Sequence, residues 1–301
     1  MNRFGRGVIV SLLMLLAMRV AGAAEESSLS SVVPEGKWEV AVEGLGFCDG
    51  LTCDREGNLY FSDLRAKPAV IWKLGPDGTK IKVTEGQSRS GLRMGVDGKL
   101  YACGSGKIAV YELPSGKETI LAEGLQPNDL TVSAKGFIYF TETGKKQVTM
   151  VDVKNRSVKA ADVGISKPNG IALSPDQSVL YVSDYGGVNV WAFKMAEDGT
   201  LSDKKPLMTM KAPEKTPTVA GGDGMTTDSE GRAYVTTALG VQVFRKDGKP
   251  LGILPKPAPN APLVSVGFAG KEMDILYIAC GEKIYKRKAN AKGVAPAVAA
   301  N

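Results

Sequence analysis

Apolar and polar residues alternate along most of the chain in short runs broken by turn residues. One pattern recurs six times, an apolar or small residue followed by Tyr on a predicted strand: NLYFSD, KLYACG, FIYFTE, VLYVSD, RAYVTT and ILYIAC. The tyrosines are Tyr60, Tyr101, Tyr139, Tyr181, Tyr234 and Tyr277, spaced 41, 38, 42, 53 and 43 residues apart. Each repeat divides alike. A first strand such as GLTCD or GIALS meets a turn rich in Gly, Asp or Pro, residues that supply a positive or preset φ. The Tyr strand follows, then an alternating third strand (AVIWKL, IAVYEL, QVTMVDV, VNVWAF, VQVFRK, KIYKRK) and a weaker fourth. No helical periodicity stands out. Four strands per period near 40 residues predict the blades of an all-β, six-bladed β-propeller rather than a sandwich or a β-helix. The last repeat lacks a fourth strand. KWEVAVEGL (37–45), ahead of the first repeat, is expected to supply it and close the ring.

Residues 1–23 stand outside this pattern. Arg3 and Arg6 precede the apolar VIVSLLMLLAM, too short to span a bilayer, and Ala21, Gly22 and Ala23 offer a cleavage site. The expectation is a signal peptide over 1–23, a linker over 24–36, the propeller over 37–290 and a disordered tail over 291–301. Export to a periplasm or the extracellular space follows. Cleavage removes Arg3, Arg6 and Arg19 and lowers the net charge from +6 to +3, and no basic run exceeds YKRK at 285–288. Neither nucleic acid nor, after cleavage, a membrane is expected as a partner, and a monomer is expected.

The chain contains no histidine. Ser-His-Asp and Cys-His chemistry and His-ligated metals are excluded, so catalysis must rest on carboxylates, a metal ion, Lys, Tyr or Cys. Cys48, Cys53, Cys103 and Cys280 leave room for a disulfide in an oxidising compartment, with connectivity open.

The residue eleven or twelve positions before each Tyr is always a short side chain ending in oxygen: Asp49, Ser90, Asn128, Asn169, Asp223 and Ser265. First strands of a propeller line its channel, so these six are expected to form a ring. Oxygen donors of this mix suit a hard cation, Ca²⁺ first, with Mg²⁺ also open. Turn residues bonding their own backbone are the alternative reading of each position. Asp129 interrupts a register otherwise held by Gly50, Gly91, Gly170, Gly224 and Val266, and stands as a second candidate base. Asp63, Glu142 and Asp184 share the position three after the Tyr, either supporting the ring or capping strand ends. The segment 204–224, with three prolines, is expected to form a loop over the channel mouth.

The stretches CDGLTCDREGNLYFSD, QPNDLTVSAKGFIYFTE, KPNGIALSPDQSVLYVSD and GGDGMTTDSEGRAYVTTALGVQVFRKDGKPLG resemble successive blade motifs of the senescence marker protein/gluconolactonase (regucalcin-like) family, over about residues 40 to 290. The resemblance implies a six-bladed propeller holding one divalent cation, usually Ca²⁺ or Zn²⁺, on Asp49, Asn128, Asn169 and Asp223. It also implies hydrolysis of lactones, typically sugar lactones, with Asp223 as catalytic base. Asp49 stands where the family has Glu, and Gln126 where animal members have a substrate-binding Arg. Ser90, Gln126, Glu142, Asp184 and Ser265 are the candidates for substrate contact or support of the ligands. An exported, non-catalytic ligand- or protein-binding propeller with a structural metal is the competing reading.

Overall fold

Each alternating run becomes a strand because one of its faces is buried against the next blade. The computed structural model describes residues 28–296, and these form six four-stranded antiparallel sheets. Residues 1–23, the expected signal peptide, and 297–301 lie outside the described residues. The innermost strands are Cys48–Cys53, Gly91–Met94, Leu130–Val132, Pro168–Leu173, Met225–Thr227 and Leu263–Ala269, and each touches its two neighbours around a closed ring. The second strands carry the six tyrosines: Leu59–Asp63, Leu100–Gly104, Phe137–Glu142, Val179–Asp184, Ala233–Thr237 and Ile275–Cys280. Glu39–Val42 pairs antiparallel with Lys283–Lys288 and completes the last blade, as the sequence predicts. No described helix is long and apolar enough to cross a membrane.

The core lies between blades. Tyr139, Val148 and Met150 of the third blade pack on Ile171, Leu180, Val182 and Phe193 of the fourth, all but excluded from water. Each large apolar side chain buried this way contributes about 1.5–3 kcal/mol. The tyrosines also have a polar task. Tyr60 donates its hydroxyl to Asp54 at 3.0 Å, Tyr101 to Asp97 at 3.0 Å and Tyr234 to Asp228 at 2.9 Å. In these three blades the bond ties the second strand to the turn that delivers it, whereas Tyr139 donates to Gly199 O of the next blade at 2.5 Å.

Three expectations need correction. The described part of the linker, 28–36, carries structure: Leu29–Val32 makes one helical turn, and Val32 and Val33 are buried beside Val241 and Leu254. The described part of the tail is bound too. Ala291 N–H donates to Val32 O at 3.1 Å, Ser229 N–H to Lys292 O at 2.8 Å and Gly293 N–H to Met273 O at 2.7 Å. Both segments lack strand periodicity, so their apolar residues gave no signal of a partner far away in sequence. The segment 204–224 is only partly a loop, since Leu201–Thr209 is the outer strand of the fourth blade. The rest is pinned at both ends, by Lys211 to the Gln242 amide (2.8 and 2.7 Å) and by Ala220 to Gly187 and Ala238 (2.9 and 3.0 Å).

Asp228 makes a direct test of the turn anchors. Its fully buried carboxylate accepts from Arg232 Nε, from Tyr234 and from the Glu230 and Arg232 N–H groups. Asp228→Ala removes four hydrogen bonds, among them that of the buried Tyr234 hydroxyl, while Arg232 keeps Glu230, and is expected to cost about 2–4 kcal/mol. Tyr234→Phe loses one hydrogen bond and is expected to cost about 1–2 kcal/mol. Equilibrium denaturation of both variants checks the ranking.

Candidate metal centre and active site

The ring residues sit where the innermost strands begin. Asp49, Asn169 and Ser265 lie within their strands, while Ser90, Asn128 and Asp223 stand one or two residues ahead. Close approach of neighbouring blades here requires glycine beside the ring. A Cβ on Gly170 would lie 2.2 Å from the Asp223 carbonyl oxygen, and one on Gly224 2.5 Å from that of Val264. Ladder irregularities after Asp49 and after Pro168 turn these strand starts toward the channel.

A series of hydroxyl and thiol donors, two residues after the Tyr, locks the ring from behind. Cys103 donates to Asn128 O at 3.3 Å, Thr141 to Asn169 O at 2.6 Å and Ser183 to Asp223 O at 2.8 Å. Thr236 donates to Val264 O at 3.3 Å. Each donor holds the ring segment of the following blade. Sequence reasoning missed them, although they share an offset as regular as that of the ring.

Asp63, Glu142 and Asp184 do not join the ring. All three are buried and accept the N–H two residues before a ring position: Phe47 at 3.1 Å, Gln126 at 2.9 Å and Lys167 at 2.9 Å. They are buried and bonded to the backbone segments that lead into Asp49, Asn128 and Asn169 rather than solvated. Ser90 donates to Asn128 O at 2.6 Å and Ser265 accepts the Leu51 N–H at 3.1 Å. These two hydroxyls join adjacent blades. The Gln126 side chain is exposed at the mouth.

Asp129 belongs with Asp49 and Asp223. Its carboxylate accepts the N–H groups of Leu130 at 2.7 Å and Ile171 at 3.3 Å. The three carboxyls feel one another's charge across the channel. Burial pushes Asp49 up to about 8, and the Asp129 charge adds to it against the Gly50 N–H. Burial raises Asp129 to about 6, with the Arg93 guanidinium holding it down. Asp223 rises well above the carboxylate range, through burial first and then the charges of Asp49 and Asp129. The Asn169 side chain hydrogen-bonds Asp223, yet Asn169 Oδ1 is buried with no partner.

That orphaned carboxamide oxygen and the crowded carboxylates are what a hard divalent cation relieves, so the donor set fits the ion that the resemblance implies. Among the described residues no three Asp, Glu or Cys side chains converge on one point, so an ion here depends on the carboxamides as well. The cysteines offer no substitute chemistry. All four are free and buried, without the disulfide the sequence left open, and burial pushes Cys48 and Cys53 up to about 12 and Cys103 well above its usual value.

Residues 41–282 match the family model described as SMP-30/Gluconolactonase/LRE-like region. A gluconolactonase of Zymomonas mobilis is 27% identical over 286 residues, covering 82% of this chain and 80% of its own. Among solved structures, a gluconolactonase from Xanthomonas campestris superposes with a TM-score of 0.75 at 22% identity, over 87% of this chain and 92% of that one. A calcium-binding protein, regucalcin, from Agrobacterium tumefaciens superposes with a TM-score of 0.74 at 17% identity, over 91% and 100%.

Carboxyls raised by folding make the metal-free protein less stable as pH rises. The native state retains protons that the unfolded chain releases near pH 4, so stability falls from there through the folded values of about 6 for Asp129 and about 8 for Asp49. With a chelator present, the melting temperature is expected to be lower at pH 8 than at pH 5.5. Asp49→Asn is expected to flatten that slope and to raise the melting temperature at pH 8. An unchanged slope in this variant contradicts the assignment.

Proposed function

The chain belongs to the SMP-30/gluconolactonase/LRE-like family, and from that premise we propose that it is a metal-dependent hydrolase that opens lactones, sugar lactones among them. The observation that carries the reading is the unpartnered Asn169 Oδ1 among three mutually repelling carboxylates. Asp49, Asn128, Asn169 and Asp223 would hold the cation. The all-oxygen donors and the structural likeness to a calcium-binding regucalcin support Ca²⁺. When bound, the cation polarises a carbonyl and makes water more acidic.

The chain's own groups handle the proton. Hydrolysis joins a water oxygen to the lactone carbonyl carbon, breaks the ring C–O bond and delivers one proton to the departing oxygen. Asp223, ionised once a positive charge offsets Asp49 and Asp129, accepts the proton from water and returns it to that oxygen. Asp129 is the second group in reach of this task. The lactone enters at the ring end, where the exposed Gln126 faces solvent and Glu142 holds its N–H in place. The signal-peptide pattern of residues 1–23 supports export, and the mild net charge supports a monomer acting on a small molecule.

Hydrolysis of δ-gluconolactone, followed in a pH-stat, tests the reading. Activity is expected to vanish on chelation and return with Ca²⁺ or Zn²⁺. Asn169→Ala is expected to weaken cation binding by at least the ~10–100-fold typical of lost metal-site partners. Asp223→Asn is expected to lower kcat by about 10²–10⁴-fold. Stoichiometric cation binding with no hydrolysis across a lactone panel would leave a binding propeller in its place.

A further inference from the structure

At the end of the channel opposite the ring, the innermost strands of all six blades surround a cavity of ≈ 140 Å³. One water molecule needs only about 10–15 Å³ of such space. Val294, Ala295 and Pro296 form part of its wall, held by Gly293 N–H to Met273 O at 2.7 Å and Arg55 Nε to Pro296 O at 3.0 Å. Among the described residues lining it, Arg93 is the one with a formal charge, and none is a carboxylate.

Arg93 is short of acceptors. Of its five N–H donors, one makes a 3.4 Å bond from Nη2 to Ile171 O, and Nε is buried with no partner. No carboxylate among the described residues forms an ion pair with it. Asp129 feels its charge, but that carboxylate is taken by the Leu130 and Ile171 N–H groups on the ring side. Thr131 and Thr226 line the same cavity, and their hydroxyls bond to no protein group. The cavity therefore offers unspent N–H and O–H donors around one positive charge and no carboxylate to meet them.

We propose that this cavity is a second binding site, separate from the ring, for a small carboxylate anion held by Arg93 with Thr131 and Thr226. A guanidinium with unspent donors along one edge matches the two oxygens of a carboxylate, which a halide cannot do. The segment Val294–Pro296 supplies part of the wall.

The test is calorimetric titration of formate, acetate and chloride into the full chain with the ring's cation chelated, at constant ionic strength. One formate per chain is expected, bound more tightly than chloride. Arg93→Met is expected to weaken formate binding at least about tenfold, as loss of a charge-assisted pair does. Thr131→Val with Thr226→Val, which leaves the charge in place, is expected to weaken it about three- to tenfold and decides the matter if the arginine variant does not fold. Loading the ring with Ca²⁺ is expected to leave formate affinity within about twofold. No saturable uptake of formate, tighter binding of chloride, uptake indifferent to these substitutions, or competition with Ca²⁺ each overturns the proposal.

Discussion

Six strands can focus their side chains on one small volume only if their backbones nearly touch, and that closeness is the constraint on which this molecule turns. It is met by the absence of Cβ atoms at Gly170 and Gly224, where a methyl group would strike the Asp223 and Val264 carbonyls. It is secured by the donors Cys103, Thr141, Ser183 and Thr236, each reaching the next blade's ring segment from behind. The N-terminal strand then shuts the circle against the last blade, so the ring cannot relax by opening. A narrow channel is thus imposed by backbone contact rather than by the charged groups inside it.

This has an energetic consequence. Asp49, Asp129 and Asp223 are forced within range of one another in a buried space, a placement that costs stability unless protons or a cation supply positive charge. Interblade packing, as between Tyr139 and Phe193, supplies the stability that tolerates this. The turn anchors do the same from the far side of each second strand. The fold is spending part of its cohesion to keep a set of oxygens pre-arranged, the usual relation between a strained site and the scaffold around it.

The propeller was legible in sequence because its signals are local and repeated. Alternation sets strand faces, Gly and Asp set turns, and the Tyr register aligns the six positions Asp49, Ser90, Asn128, Asn169, Asp223 and Ser265, from which the family resemblance selects four. The same register held the Cys103–Thr141–Ser183–Thr236 series, but a hydroxyl on a strand has several uses, and only the neighbouring blade shows which carbonyl it meets. Asp63, Glu142 and Asp184 share an offset too, yet their bonds run to backbone N–H groups, which sequence does not display. The turn at Leu29–Val32 and the segment 291–296 escaped entirely, because their partners lie at the other end of the chain. Buried, unpaired cysteines fit the same account, since compartment chemistry speaks to what is permitted and only geometry to what is within reach.

Charge is distributed unequally along the channel. The ring end holds three carboxylates, one more than a divalent cation neutralises. The nearest compensation is Arg93, which lies on the far side of Asp129 and keeps that carboxyl from rising as far as Asp49. Asp129 and Arg93 therefore act as a hinge of charge between the two halves: the carboxylate adds to the ring's negative charge, while the guanidinium gives the opposite half its donor character. The departure from the repeat in the third blade and the cation in the second are thus two parts of one arrangement, legible only once the blades are set side by side.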